Sequence, residues 1–494
     1  MPPLTTEANQ FHLLSLTLKA SPEFSLFKLI TIHTHSHHLP LSTIMAVNNG
    51  KPLTTADIVK ITAKTTVLPS KTSEKQGRVA LATFDLPYIT FYYNQKLLVY
   101  KGGVEEFGDV VGKMKEALSA ALDEFYPLSG RLLQEEEGVV VVDCEMGKGV
   151  EVVEAEAEGL EVKEFAEGDE PEEIMKMVVP YTGVMNLEGM TRPLLAVQYT
   201  KLKDGIAIGC AFNHAILDGS STWHFLTSWA ALARGSPIPN PPLHNRALAR
   251  STRVPLTLPI SPAAHELSDP NPAPASLVTH LFSFPESSLL VLKSAANSSI
   301  PPTAKPFSTF QSLASHAWRA ISRARRLSPG DITVFAVFTD CRNRLRPPLP
   351  NSYFGNFIQA VFTGTAVGPL LASPPEFAAG LLQKAIDAHD EAAIVKRLEE
   401  YEAEPKMFYY TDAGVNCVAV GSSPRFKVYD VDFGFGRPER VRSGRNNKFD
   451  GMVYLYPERD GGKGIDVELT LDGRAMENLE KDGEFLLVGR GSAD

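Results

Sequence analysis

The chain has 494 residues, of which 44% are hydrophobic and 21% charged, and its formal net charge is -10. This is the composition of a globular protein with a large buried core, so collagen, coiled coil and wholesale disorder are excluded. The acidic excess argues against nucleic acid as the main partner, because binding phosphates needs concentrated Lys and Arg. Four scattered cysteines without a CxxC pair predict neither a disulfide framework nor a cysteine zinc site, and favour a reducing compartment.

Residues 1–44 differ from the rest and are predicted to be a disordered extension. They hold five of the twelve histidines, including the run His33–His38, but show no sustained periodicity. A metal at this run is not expected, since a flexible terminus does not fix ligands in place. No apolar stretch reaches the roughly 20 residues that span a bilayer, and no clean signal-peptide core is present. We therefore expect a cytoplasmic (cytosolic) protein without a transmembrane segment.

Periodicity predicts helices and strands in alternation along the rest of the chain. Helices are expected at 107–125, from Ser220, at 310–326 and at 375–402, and strands at 58–67, 194–200, 206–212, 332–340, 415–420, 426–431, 452–455 and 465–470. Residues 244–276 are rich in Pro, Ser and Asn and are predicted to be a crossover linker. The expected fold class is therefore α/β with mixed sheets, in an N-terminal domain at 45–243 and a C-terminal domain at 277–494.

A His-x-x-x-Asp pattern follows the predicted hairpin at His214 and Asp218. The pattern alone is weak, because His265 and Asp269 in the linker match it as well. His214, however, lies where an apolar strand ends before a helix, and such positions present side chains to clefts from a stiff scaffold. From this context alone two interpretations stay open: a catalytic histidine, or a buried histidine satisfied by hydrogen bonds.

The sequence offers no competing catalytic machinery. It lacks a GxSxG elbow, a complete GxGxxG turn and an HExxH pair, so a serine nucleophile, a dinucleotide fold and a zinc protease are not supported. What remains is a histidine acting as a general base. Arg342 and Arg344, at the end of a predicted strand, can each meet a buried carboxylate, for which Asp218 is the candidate. Asp432, with Gly434 and Gly436, is interpreted as a structural loop.

Taken together, these blocks resemble the BAHD acyltransferases, plant enzymes that move acyl groups from coenzyme A thioesters to alcohols or amines. Within that family the chain is most similar to the defective-in-cuticular-ridges type. The blocks that carry the resemblance are Thr83–Tyr88, Phe125–Leu132, His214–Gly219, Ser308–Arg319, Asp340–Arg344, Tyr353–Asn356 and Asp432–Gly436. The resemblance implies two chloramphenicol-acetyltransferase-like domains with a channel between them. It also implies that a segment near 432–455 docks on the N-terminal domain.

The resemblance further implies roles for individual residues. His214 is expected to remove the acceptor proton through Nε2, with Ser422 or a backbone N–H near Gly421 donating to the oxyanion. Asp218 is expected to form a structural ion pair with Arg342, with Arg344 as the second candidate, instead of orienting His214. The coenzyme A contacts are expected at Lys305, Ser308 and Thr309. Acyl-CoA is then a co-substrate, and no permanently bound cofactor or metal is expected.

The resemblance also implies a substrate class. A (hydroxy) fatty acyl chain would pass to a hydroxyl-bearing lipid or related acceptor in cutin and cuticle biosynthesis, on a monomeric enzyme. Gly421, Ser422 and Ser423 stand where phenolic-ester members often carry Thr-Ser-Trp, which leaves room for an aliphatic chain. The alternatives are a hydroxycinnamoyl-type transferase and a non-catalytic relative. A peptide-condensation relative is disfavoured, because Asn213 replaces the first of its two histidines.

Overall fold

The computed structural model describes residues 58–71, 77–145, 148–166, 172–259, 276–408, 410–414 and 416–487. They belong to the second of two compact units, Pro52–Asp494, whereas the first unit, Met1–Lys51, lies outside the described residues. The predictions for residues 1–44, the His33–His38 run and the second pattern match at His265 and Asp269 therefore fall outside this description.

The described residues form fifteen strands and ten α-helices. The strands are β1 (Lys60–Val67), β2 (Arg78–Ala80), β3 (Asn94–Lys101), β4 (Arg131–Gln134), β5 (Val140–Asp143), β6 (Val150–Ala157), β7 (Leu195–Leu202), β8 (Gly205–Phe212), β9 (Leu277–Phe284), β10 (Ile332–Asp340), β11 (Ile358–Ala366), β12 (Val418–Val420), β13 (Arg440–Arg442), β14 (Met452–Pro457) and β15 (Ile465–Asp472). The helices are α1 (Phe107–Glu124), α2 (Val162–Ala166), α3 (Glu172–Val178), α4 (Gly219–Ala233), α5 (Glu286–Asn297), α6 (Thr309–Ala324), α7 (Val367–Ala372), α8 (Pro375–Ala388), α9 (Glu391–Ala403) and α10 (Gly473–Leu479).

Two six-stranded mixed sheets form the frame. The first has the order β1-β6-β7-β8-β3-β13 and the second β11-β10-β12-β14-β15-β9, and each contains parallel and antiparallel neighbours. Strand β8 is buried along its whole length, as expected of an apolar central strand covered on both faces. At Gly209 an added Cβ would lie 2.2 Å from the carbonyl oxygen of Val178, so only glycine allows this approach. This buried strand carries the chain directly to His214.

Helices cover each sheet. Helices α1 and α4 pack together on the first sheet, where the indole of Trp229 donates to the carbonyl of Met114 at 3.0 Å. Helix α6 packs among α5, α8 and α10 over the second sheet and buries Trp318. In the described part of the chain, no helix combines the length and apolarity needed to cross a membrane.

The late part of the chain returns to the first sheet. Strand β13 pairs antiparallel with β3, with Val441 opposite Leu98. Residues 452–455 lie instead in β14 of the second sheet, so only the earlier part of the expected 432–455 segment pairs with a strand of the first sheet. The described part of the linker also contacts the N-terminal half of the chain, because Pro255 forms a β-bridge with Val139.

Two local predictions were wrong. The single helix expected at 375–402 is two helices, α8 and α9, because the carboxylate of Asp390 accepts from the N–H of Ala393 at 3.0 Å and starts a new helix. The strand expected at 426–431 is a single 3-10 turn, Val428–Asp430. Its apolar residues are buried against a neighbouring surface and take no part in a sheet, so burial alone produced the strand-like pattern.

Candidate active site

A short turn after β8 holds His214, and side chains from distant parts of the chain fix its backbone. The N–H of His214 donates to the side-chain oxygen of Asn186 at 2.8 Å, and its carbonyl accepts from the side chain of Asn356 at 2.8 Å. Two residues on, the carbonyl of Ile216 accepts from Arg246 at 2.7 Å. These hydrogen bonds hold the backbone of the turn on both sides, so the imidazole is attached to a rigid segment of the chain.

The imidazole itself lies on the wall of a cavity of about 1230 Å³. Its ring stacks on Tyr88, with centroids 4.7 Å apart and planes 16° from parallel. The Nδ1 atom is buried and meets no partner at hydrogen-bonding geometry. Burial lowers the pKa of His214, and the charge of Lys96 adds to this, against opposing effects of its own carbonyl, Asp218 and Asn356. The ring is therefore neutral at neutral pH and able to accept a proton.

The carboxylate of Asp218 binds groups other than His214. It is fully buried and accepts four hydrogen bonds, two from Arg342 at 2.8 and 3.1 Å, one from the N–H of Ser221 and one from the N–H of Phe357. Burial alone would raise the pKa of Asp218, but Arg342 and the backbone donors hold it below its ordinary value. No lone pair remains for His214, so Asp218 caps α4 and joins the end of β8 to the loop after β10.

Arg344, the second candidate partner of Asp218, lies elsewhere. Its guanidinium donates to the carbonyls of Ile386 at 2.8 Å and His389 at 2.6 Å, near the end of α8. Arg342 is thus the arginine that meets Asp218, and Arg344 holds the junction between the two helices that replace the expected long one.

A second buried ion pair was missed by the sequence analysis. Asp85 is fully buried and pairs with Arg246, and its other oxygen accepts from both the N–H and the side chain of Asn356 at 3.0 Å. This network links the turn of His214 to the second half of the chain through Asn356. Asp85 was visible only within a block of the family resemblance, and Arg246 lies in the Pro-rich linker, where no pattern pointed to it.

Both sheets line the cavity. Gly421, Ser422 and Ser423 contribute the small residues of its wall, together with Met452 and Tyr454 of β14. The hydroxyl of Ser422 donates to the carbonyl of Leu455 at 2.7 Å and accepts from its N–H at 2.8 Å. A hydroxyl has one proton, and here that proton is given to Leu455. Ser422 therefore bridges the loop to β14, and donation to an oxyanion requires exchange of this bond.

The residues expected to contact coenzyme A do not line the cavity. Lys305 forms an exposed ion pair with Asp387 at 2.8 Å. Ser308 caps α6 and exchanges hydrogen bonds with Gln311, and Thr309 is the first residue of that helix. Their assignment to coenzyme A stays a prediction.

The loop of Asp432 is also separate from the cavity. Its carboxylate accepts from the N–H of Gly434 at 2.7 Å and of Gly436 at 3.0 Å. Both glycines have φ above +100°, a conformation that side chains disfavour. On either side of Gly434 the aromatic rings of Phe433 and Phe435 pack against Tyr100. No group of three His, Cys, Asp or Glu side chains within the described ranges is arranged to hold a metal ion.

Comparison with known proteins identifies the family of this chain. Residues 58–486 match the model of the Transferase family. The BAHD acyltransferase DCR of Arabidopsis thaliana is 52% identical over 448 residues, which cover 87% of this chain and 92% of that relative. The chain belongs to the BAHD acyltransferase family. Hydroxycinnamoyltransferase 2 of Oryza sativa subsp. japonica is 31% identical over 81% of this chain and 91% of its own.

Solved structures show the same fold at lower identity. Vinorine synthase superimposes with a TM-score of 0.69 at 20% identity, covering 87% of this chain and 98% of its own. TRI101 of F. sporotrichioides, solved with coenzyme A and T-2, superimposes with a TM-score of 0.67 at 20% identity, covering 83% and 98%. The predicted fold class, mixed α/β of the chloramphenicol-acetyltransferase type, is confirmed. As a BAHD enzyme the chain is an acyl-CoA-dependent acyltransferase, with acyl-CoA as co-substrate.

Proposed function

We propose that this BAHD acyltransferase moves a fatty acyl chain, with or without a hydroxyl group, from acyl-CoA to an alcohol, with His214 as the general base. The observation that carries the proposal is the neutral imidazole of His214 on the wall of a large cavity, with Nδ1 buried. With Nδ1 turned inward, Nε2 is the nitrogen offered to a substrate. Neutral imidazole is the form that takes a proton from a hydroxyl.

The reaction needs one proton acceptor and no protein nucleophile. The hydroxyl oxygen of the acceptor attacks the thioester carbonyl as its proton passes to Nε2 of His214, which forms a C–O bond and a tetrahedral oxyanion. When the C–S bond breaks, the thiolate of coenzyme A takes the proton back from His214. The products are an ester and free coenzyme A, and His214 returns to its neutral state.

The lining of the cavity supports an aliphatic acyl group. Its wall includes Phe338, Phe426, Phe449 and Met452, and the small residues at 421–423 take up little of its space. A flexible chain gains free energy from burial against such a surface without needing a stacking partner. The name of the Arabidopsis relative points to the cuticle, so we propose cutin assembly in the cytosol as the setting.

The first experiment measures release of the coenzyme A thiol by the purified protein with palmitoyl-CoA and a panel of alcohols. His214→Ala is expected to lower kcat by roughly 10²–10⁴-fold, because the proton acceptor is lost. Its melting temperature should change little, since the fold loses the stacking contact with Tyr88 but no buried ion pair. His265→Ala is the matched control, since it removes the histidine of the second pattern match and should leave kcat unchanged. Turnover by His214→Ala close to that of the wild type would disprove the mechanism.

A second comparison tests the acyl group. We expect palmitoyl-CoA and ω-hydroxypalmitoyl-CoA to give a higher kcat/KM than hydroxycinnamoyl-CoA. The reverse order would assign the chain to the hydroxycinnamoyl-type transferases and leave the role of His214 intact. Binding of acyl-CoA without turnover by the wild type, for any acceptor, would instead favour the non-catalytic relative.

A further inference from the structure

The cavity wall contains a buried cation that the acyl-transfer chemistry does not use. Lys96 of β3 lines the cavity, and only 5% of its surface is exposed. Its ammonium group donates to the side-chain oxygen of Asn94 at 2.6 Å and to the carbonyl of Gln95 at 3.0 Å. The ammonium also lies 5.8 Å from the centre of the Tyr454 ring, and none of these three partners carries a charge.

No carboxylate of the described residues lies within ion-pair distance of Lys96. The carboxylate whose charge acts on it, Glu468, is itself buried and already paired with Lys448 at 2.8 Å and Arg442 at 3.2 Å. Burial lowers the pKa of Lys96 to about 8, although the charge of Glu468 opposes this effect. Because an unpaired buried charge is costly, its presence on a cavity wall indicates a ligand that supplies the missing charge.

The position of Lys96 in β3 places its charge near His214, the proposed general base. In the antiparallel pair of β3 and β8, Asn94 lies opposite Phe212 and Lys96 opposite Cys210. The bond from Lys96 to Asn94 turns the ammonium toward the end of β8 that continues into His214. Lys96 is also close enough to His214 for its charge to act on the imidazole. The cation and the general base therefore share one part of the cavity.

We propose that Lys96 binds a negatively charged group on the acceptor, so that the preferred acceptor is an acidic alcohol such as a hydroxy fatty acid bound through its carboxylate. This inference rests on the proposed function, since it names the acceptor for the same site. The thioester end of acyl-CoA is neutral, and the phosphates of coenzyme A lie at the far end of the pantetheine arm. The anion that faces Lys96 thus belongs to the hydroxyl-bearing substrate.

The test compares 3-hydroxypalmitate, whose hydroxyl and carboxylate lie close together, with its methyl ester as acceptors for palmitoyl-CoA. For the wild type, we expect KM to be at least about tenfold lower for the acid than for the ester. Lys96→Met should abolish this difference by raising KM for the acid, with a much smaller effect on KM for the ester. Lys101→Met, at the exposed end of the same strand, is the matched control and should preserve the difference.

Three results would overturn the inference. Equal KM values for acid and ester in the wild type would show that the charge is not recognised. An equal fall of kcat for both acceptors in Lys96→Met would assign the cation to the oxyanion of the intermediate. If neither acceptor reacts, the proposed function fails for this substrate class, and calorimetric binding of acid and ester decides the Lys96 site separately. A Lys96→Met protein that binds the acid as tightly as the wild type would then rule the site out.

Discussion

His214 and Asp218 are four residues apart in one motif, yet they occupy opposite settings. The imidazole of His214 lies on a cavity wall with one ring nitrogen unpartnered, whereas the carboxylate of Asp218 is sealed and accepts four hydrogen bonds. Across the turn between them, the surroundings change from a cavity wall, where a ring nitrogen has no partner, to a buried site where the carboxylate is fully hydrogen-bonded. One motif thus carries the proposed proton acceptor at one end and, at the other, a carboxylate that joins the two sheets.

Because of this contrast, replacing His214 and replacing Asp218 should have different effects on the stability of the protein. Replacing His214 removes an imidazole that stacks on Tyr88 but has no hydrogen-bond partner at Nδ1. Replacing Asp218 removes the partner of a buried guanidinium and the cap of α4 together. Loss of activity in both variants would look alike in an assay of crude protein, so stability has to be measured beside turnover.

The largest effect on stability is expected from Asp218→Ala. It leaves the buried guanidinium of Arg342 with the half-exposed Asp340 at 3.1 Å as its remaining carboxylate. Breaking a buried ion pair in this way typically costs about 3–5 kcal/mol of the free energy of unfolding. Denaturant titration measures this loss. Asp387→Ala is the matched control, because it breaks the exposed pair with Lys305, and should cost less than about 1 kcal/mol. A stable but inactive Asp218→Ala protein would break the contrast and give Asp218 an orienting role.

A smaller effect is expected from Ser422→Ala, which tests the same contrast at another residue of the cavity wall. Removing the hydroxyl leaves both backbone groups of Leu455 without this partner and should cost about 1–3 kcal/mol of stability. Per folded molecule, kcat should change by less than tenfold. A fall of kcat by 10²-fold or more at unchanged stability would instead identify Ser422 as the oxyanion donor.

The smallest effect is a displacement of the pH profile. Since burial lowers the pKa of His214, kcat/KM should be constant at neutral pH and fall only as the pH drops through a value below 6.5. Lys96→Met removes a charge that contributes to this lowering, so its acid limb should move to higher pH. Initial rates from pH 4.5 to 8 measure both curves. An unmoved limb in the variant would show that Lys96 exerts no field on the imidazole.

Local patterns predicted much of the fold. The hairpin of β7 and β8, the helix from Phe107 and the turn that carries His214 all follow from apolar periodicity and from where it stops. The break between α8 and α9 was missed because the apolar spacing continues across it, while a single capping residue, Asp390, starts the second helix. Caps of this kind override periodicity and leave only a weak signal in the sequence.

The supporting residues of the site were less predictable than its centre. His214 and Asp218 lie together in the sequence and have a recognisable spacing. Asp85, Arg246 and Asn356 form one buried network around them but are separated by more than a hundred residues in the chain. Lys96 looked like an ordinary polar residue of a strand. Only its burial without a carboxylate partner distinguishes it, and burial is a property of the folded chain.

Strand β13 has a consequence for how molecules reach the cavity. The chain leaves the second sheet after β12, lends β13 to the edge of the first sheet, and returns to the second as β14. An ion pair of 2.6 Å between Arg440 and Asp466 fastens this crossing from the other side. The chain therefore connects the two sheets covalently. Moving the sheets apart would first require breaking the hydrogen bonds between β13 and β3. We therefore expect donor and acceptor to reach the cavity without separation of the two sheets.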